Sequence, residues 1–377
     1  MRFVLNTRSD DSATRVCIDE LGQRLDAVGI DAVRNDWDHY ERYDVAVFMG
    51  YDHELEDARM ANPNIRVVLA DPKLSLPEWI LAARAADKLL VSSIEQRDVF
   101  MRLNRNVHVF HMFPKIPPAD PVPGRGDQLV IGYHGNRVHL EALAGGVRSA
   151  LEELGRRRPV ELRAIYNAEQ LGRASIGLPD ERFVRTAHVQ WRETFYEDLA
   201  GVQIGIVPNE LPIRDRLDAL AQSAWREREF KYEPFDHLLR FKASTNAGRI
   251  YPFARRGIPV VADFAPSAVQ LIEDGRSGYL ASSPSAWLAA LEWLADSPER
   301  RVDYARRLRA RVDELYDRQI GDFLDFVAAP VSPPPPALQG EISVEEQLDR
   351  SREYPGPGSG PKARVARAIR KLAPPRP

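Results

Sequence analysis

The chain has 377 residues, 44% of them hydrophobic, a formal net charge of −3 from 52 basic and 55 acidic side chains, and a single cysteine. That length suits about two domains of ~150 residues, and so balanced a charge gives no global electrostatic case for a nucleic-acid partner. Cys17 has no partner for an internal disulfide, and no apolar run approaches the ~20 residues of a membrane helix.

The opening "MRFVLNTRSDD" runs straight into a strand-like segment without the charged, apolar and small-residue order of a signal peptide, so a cytoplasmic protein is expected. Short apolar runs then alternate with helix-period segments: "RFVLN", a helix from about Ser12 to Val28, "VAVFMG", "IRVVLAD", "KLLVSS" and "VHVFH". This alternation is the grammar of a parallel α/β sheet. The first helix sets Val16, Leu21, Leu25 and Val28 on its apolar face, with Gly29 after its last turn, and Cys17 reads as core packing.

The prolines and glycines of "PKIPPADPVPGRGD" forbid a helix or central strand and mark a linker. Beyond it the alternation restarts with "LVIGYHG", a helix through Leu140 to Leu154, "VELRAIY", "AHVQW", "VQIGIVPN", "IPVVADF" and "GYLAS". Two Rossmann-like sheets in tandem, facing each other across a cleft, are the simplest architecture. Residues 210–241 read as largely helical, either a flap over the cleft or a surface insertion. From residue 331 the composition turns Pro-rich and an extended or disordered tail is expected. Near its end Val365, Ile369 and Leu372 share a helical face among Arg364, Arg367, Arg370 and Lys371, which suits either weak membrane-surface contact through 362–373 or a solvated tail.

Common cofactor motifs are missing: no G-x-G-x-x-G opens a helix after a strand, and there is no G-x-x-x-x-G-K-[ST]. His134 and His139 stand five apart, which matches no usual zinc pair, and "DWD" at Asp36 to Asp38 reads as a solvated loop; no metal is expected. Two strand ends do suit phosphate. "LVIGYHGNRVHL" turns through His134, Gly135 and Asn136 into a helix with Arg137 beside it, so backbone N–H groups can face an anion. In "LLRFKASTNAGRIYPFARRGIPVVAD", the helix-capping residues Ser244, Thr245 and Asn246 are flanked by Lys242 and Arg249, a second cradle for a diphosphate. Arg255 and Arg256 fall at the far end of that helix, before Gly257, and are read as structural.

These residues resemble the C-terminal domain of GT-B glycosyltransferases of the large, mostly retaining nucleotide-sugar-dependent group. The likeness is carried by "GRIYPFARRGIPVVADFAPSAVQLIEDGRSGYLA", by "VIGYHGNRVH" and by "LAGVQIGIVPN"; it covers about residues 128–328, while 1–115 share topology alone. The resemblance implies an N-terminal acceptor domain over 1–115, with 316–330 packing back on it, and a linker over 116–127. A nucleotide-sugar domain would cover 128–315, and the tail 331–377. It implies His134, Lys242 and Arg249 as catalytic residues, with Gly135, Asn136, Arg137, Ser244, Thr245, Asn246 and Gly248 holding the donor phosphates. On the acceptor side it implies Asn6, Thr7, Asp10, Asp11 and Asp52. Many members keep two glutamates where this chain has Ser244 and Pro252, which leaves ribose recognition undefined.

Breaking a sugar–phosphate bond builds negative charge on the leaving diphosphate, and preorganised donors at that point contribute ~3 to 4 kcal/mol each. No cofactor or metal is then required beyond the nucleotide-sugar donor. A retaining reaction lets the departing phosphate take the acceptor's proton, whereas an inverting one needs a base such as Asp10, Asp11 or Asp52. The expected activity is transfer of a sugar to a glycan or lipid-linked acceptor in surface polysaccharide assembly, in the cytoplasm or at the inner face of the membrane. A sugar-nucleotide epimerase or phosphorylase on the same fold, and a non-catalytic scaffold, are the alternatives.

Overall fold

The structure, a computed structural model, describes residues 1–9, 15–74, 76–122, 128–144, 146–174, 176–209, 247–336, 344–345 and 348–349. The expected flap over 210–241, the end of the tail at 362–373, and Asp10, Asp11, Lys242, Ser244, Thr245 and Asn246 lie outside the described residues.

The N-terminal sheet holds β1 (Phe3–Asn6), β2 (Ala32–Arg34), β3 (Val45–Met49), β4 (Arg66–Ala70), β5 (Lys88–Val91) and β6 (Val107–Val109) in the order β2-β1-β3-β4-β5-β6. The second holds β7 (Leu129–His134), β8 (Val160–Tyr166), β9 (Val184–Gln190), β10 (Ile204–Val207), β11 (Val260–Asp263) and β12 (Tyr279–Ala281) in the order β12-β11-β10-β7-β8-β9. Pairings are parallel throughout. Helices cover both faces of such a sheet, which is why β1, β3 and β10 are buried at every residue and carry no polar side chain before Asn6 at the end of β1. The strand order reverses between β1 and β3 in one sheet and between β7 and β10 in the other. A crevice opens at such a reversal, at the carboxyl ends of the strands.

The first helix differs from its expected form. A π-helical turn, Arg15–Asp19, leads into α1 (Glu20–Ala27); Leu21 and Leu25 are buried, but Val28 is 50% exposed, because Gly29 ends the helix at φ +76°. Strand β2 has three partly exposed residues at the sheet edge, too few for an alternation to be read. In the rest of this half, α2 (Leu55–Ala61), α3 (Pro77–Ala85) and α4 (Ile94–Met101) connect successive strands. The start of α4 is capped by side chains: Ser93 Oγ accepts from the Gln96 N–H at 3.1 Å, and Gln96 Oε1 accepts from the Ser92 N–H, one residue before the cap, at 2.8 Å.

The helix expected after β7 is broken into α5 (Arg137–Leu140), a 3-10 turn (Glu141–Ala144) and α6 (Val147–Arg157). The remaining helices are α7 (Ala168–Leu171), α8 (Ile250–Arg255), α9 (Pro266–Leu271), α10 (Pro284–Ala295) and α11 (Pro298–Ala328). Both α10 and α11 begin with a serine cap, Ser283 and Ser297, followed by proline.

Helix α11 serves both halves. Its Leu308 and Val312 pack with Phe253, Ile258 and Leu271, and its Phe323 and Val327 pack with Phe3, Leu25 and Phe110. Gln319 is buried between them and holds both backbone groups of His111, at 3.1 and 2.8 Å. The segment after α11 stays on the N-terminal half rather than leaving it: Ser332 exchanges two hydrogen bonds with Asn106, and Lys88 Nζ donates to the Pro330 carbonyl at 3.2 Å. Further on, Val344 and Leu348 pack against the same core.

Candidate functional site

The reversal between β7 and β10 places four functional side chains at one sheet edge. Arg249, the residue before α8, sends Nη2 to the Pro208 carbonyl at 2.8 Å and to Asn209 Oδ1, just past the end of β10. Asn209 is 2% exposed, and its N–H donates to Asp263 Oδ2 at the end of β11. The other oxygen of Asp263 accepts from Trp287 Nε1 at 3.1 Å, within the core. Two buried N–H donors, Arg249 Nη1 and Asn209 Nδ2, have no hydrogen-bond partner among the described residues. Burial lowers the pKa of Arg249, opposed by the nearby Tyr133 and Asp263, and the guanidinium stays charged. A charged fork and an amide with unused donors have the chemistry to hydrogen-bond an acceptor-rich anion.

Gly135 makes room for the Arg249 side chain. Its φ is +140°, and a Cβ there would lie 3.1 Å from Arg249 Cδ and 3.2 Å from the Tyr133 hydroxyl. Gly205 does the same one layer below, where the Phe253 ring lies 2.6 Å from where a Cβ would stand. Close approach of α8 to the sheet therefore depends on small residues in β10 and in the turn after β7.

The other expected residues fall as follows. His134 is buried between Phe195 and Phe253, with ring centroids 4.9 Å away in each case, and its Nε2–H donates to the Arg249 carbonyl at 2.8 Å. Burial pushes its pKa down to about 3. In place of the catalytic part expected of it, the structure gives His134 the position of a neutral brace under the Arg249 backbone. Arg137 turns away from Arg249: its backbone N–H donates to Asn167 Oδ1 at 2.9 Å and its guanidinium reaches the Leu171 carbonyl. Asn136 is exposed, with its carbonyl accepting from the Tyr133 hydroxyl at 2.8 Å, and Gly248 is buried beside Arg249. Arg255 holds Asp313 at 2.6 Å and the Ile116 carbonyl at 3.2 Å, while Arg256 holds the Pro117 carbonyl at 3.2 Å. Both therefore tie α8 to the linker.

At the reversal between β1 and β3, Asn6 donates to the Asp36 carbonyl at 3.0 Å and to the Tyr40 hydroxyl at 3.1 Å. Thr7 Oγ1 donates to Asp52 Oδ2 at 3.3 Å, and Asp52 also pairs with Arg8 at 3.4 Å. Arg8 lies 3.7 Å from the Trp37 ring centroid and bonds Glu54 as well. Asp52 thus shapes this turn with a cation already beside it. Asp36 is not a solvated loop residue: it accepts from Tyr43 and contacts His39, each at 2.7 Å. Among the described residues no group of three or more His, Cys, Asp and Glu could hold a metal ion, and no helix is long and apolar enough to cross a membrane.

Asn209, Asp263 and Trp287 were not expected at the site. "VPN" and "VVAD" are visible as strand ends, but nothing local signals that the two ends join under Arg249.

Two parallel doubly wound sheets facing across a cleft, with a helix shared between the halves, are the GT-B fold. No family model and no curated protein matches the sequence. Solved structures match it in fold. Sucrose-phosphate synthase from Thermosynechococcus elongatus is similar at 13% identity over 87% of this chain and 100% of that chain, with a TM-score of 0.53. HepE from Anabaena, in complex with UDP, is similar at 14% identity over 86% and 100%, with a TM-score of 0.51. TarM is similar at 12% identity over 76% of this chain with a TM-score of 0.50, and the chain spans 55% of its length.

Proposed function

We propose that this chain is a glycosyltransferase that moves a sugar from a nucleotide donor to a glycan or lipid-linked acceptor in surface polysaccharide assembly. The observation that carries the reading is the pair of buried, unpartnered donors, Arg249 Nη1 and Asn209 Nδ2, at the strand reversal of a GT-B fold. A UDP complex of HepE, which shares the fold, supports a nucleoside diphosphate as the group to be bound.

In this reading the bond between the anomeric carbon and the diphosphate oxygen breaks, and its electron pair stays on the diphosphate. Arg249 and Asn209 stabilise that charge, with Lys242, Ser244, Thr245 and Asn246 proposed to complete the cradle from the chain before Arg249. The acceptor hydroxyl bonds to the anomeric carbon and passes its proton to the departing phosphate, a retaining course that leaves Asp52 free to shape the N-terminal turn. Arg249 supplies the positive charge, so we propose that turnover requires no metal. Asn6 and Thr7 are proposed to border the acceptor, and His134 to position Arg249.

The test is a thermal-shift series with UDP, GDP, ADP, CMP and dTDP and their sugars. A ligand at 100 times its Kd adds ~2.7 kcal/mol of stability. If none stabilises the protein, the reading fails. Incubation with the stabilising sugar nucleotide and no acceptor, followed by NMR, separates a transferase from an epimerase, which would convert the donor alone.

A further inference from the structure

The two halves are joined at one side by the linker, which follows Lys115, and by α11. That side is pinned: the Lys115 N–H donates to Glu20 Oε1 at 2.9 Å, Arg24 lies 4.0 Å from the Tyr316 ring centroid, and Phe113 stacks on Tyr251 at 4.3 Å. Beside these passes, α9 of the second half packs both on α11 and on α4 of the first half. Both α9 and α4 start at the carboxyl edges of their sheets, so their contact joins the two halves at those edges.

At its centre is Glu95. The residue is 4% exposed, and its Oε1 accepts from both the N–H and the Oγ of Ser267, at 3.2 and 2.9 Å; Ser267 itself is fully buried. The other oxygen, Oε2, is buried with no hydrogen-bond partner among the described residues, and the Ser93 side chain also interacts with the carboxyl. No described Lys, Arg or His forms an ion pair with it. The charged groups of the elements around it are committed elsewhere or lie on the outward part of α4. Asp71 and Lys73, in the turn that Gln96 touches through the Pro72 carbonyl, pair with each other at 2.6 Å. Asp263, before α9, holds Asn209 and Trp287. Arg97 and Asp98 follow Glu95 on α4, and α9 carries no charged residue.

We propose that Glu95 and Ser267 form a proton-linked latch between the domains, shut while the Glu95 carboxyl is neutral and released when it ionises. A lone carboxylate is costly to bury, whereas opening the cleft returns it to water. Burial accordingly raises the pKa of Glu95 in this closed arrangement. The sign follows from linkage: the closed form binds the proton more tightly, so it is favoured at low pH and loses ground as pH rises through the closed-state value. Each unit by which closure raises the pKa lowers the ratio of closed to open molecules about tenfold at high pH.

The experiment places fluorophores at Met60→Cys, which is 74% exposed in the first half, and Arg182→Cys, whose side chain is 78% exposed in the second. Cys17 is buried and does not compete. Energy transfer is read from pH 5 to 8.5 without any nucleotide, so the outcome is independent of the proposed activity. The expected result is high transfer at low pH, falling as pH rises, with Glu95→Gln high and flat because its amide keeps the shape of the neutral acid. Ser267→Ala, which loses one hydrogen bond, should lower the closed-to-open ratio about threefold to tenfold at low pH. Far-UV circular dichroism checks that each variant is folded. Transfer that does not change with pH in the parent protein, or a Glu95→Gln profile that titrates like the parent, overturns the latch.

Discussion

Replacing Arg249 with alanine separates binding chemistry from scaffold. The side chain makes two hydrogen bonds, to the Pro208 carbonyl and Asn209 Oδ1, and a bond from a charged donor contributes ~1.5 to 3 kcal/mol. Removing it also relieves the guanidinium's desolvation and lets water reach both acceptors, so the net loss of stability should be ~1 to 2 kcal/mol. For 377 residues, with an unfolding entropy of ~0.8 kcal/mol/K, that lowers Tm by roughly 1 to 3 °C. Turnover should fall much further, by about 10² to 10³, because one preorganised donor at a developing charge contributes ~3 to 4 kcal/mol. Arg249→Lys keeps the charge but not the fork that spans Pro208 and Asn209, so it should recover little of the rate. The assay is chromatographic release of nucleoside diphosphate from the donor identified by thermal shift, with unfolding followed by circular dichroism. Turnover within twofold of the parent protein in Arg249→Ala would refute the proposed placement of the leaving group at this strand reversal.

Two further expectations concern the frame around Arg249. His134 and His111 are held by burial at about 3 and about 4, below their ordinary value of 6.5, so the folded state binds fewer protons than the unfolded one. Their contribution is therefore complete above pH 6.5 and is lost progressively as pH falls toward 4 and 3, and Tm should drop over that range. His134→Phe should flatten part of this acid slope while costing ~1 kcal/mol at pH 7 for the lost bond to the Arg249 carbonyl. Gly135→Ala puts a Cβ 3.1 Å from Arg249 Cδ at a φ that only glycine adopts readily, at a cost of ~1 to 3 kcal/mol. Urea unfolding should show that loss, and titration of the same nucleotide should show weaker binding as Arg249 is displaced.

Much of the architecture is legible in local pattern. The runs around Val45–Met49, Leu129–His134 and Val260–Asp263 announce a parallel sheet because a strand buried on both faces is apolar along most of its length, with polar residues such as His134 and Asp263 only at the carboxyl end. Gly29, Ser93, Ser283 and Ser297 end or start helices through effects that act within one turn. Strand β2 and the break between α5 and α6 escaped notice because each is shorter than a period-based signal needs. Arg249 could be singled out as a cation flanking the capping run Ser244 to Asn246, and Arg255 and Arg256 from their place at a helix end.

The partners of these residues were not legible. Asn209 meets Arg249 across 40 residues of chain, and Ser267 meets Glu95 across 172. Such contacts leave no trace in periodicity or composition, since each side chain obeys the rules of its own turn or strand wherever the other lies. His134 shows the limit most clearly: its sequence context suits an anion site, yet two phenylalanines from separate segments enclose the ring and hold it neutral. Order along the chain therefore specified the sheets and the turns between them, through interactions a few residues long. Which side chains converge at the strand reversals, which described donors stay unused and which residues join the two halves were decided by packing between distant segments.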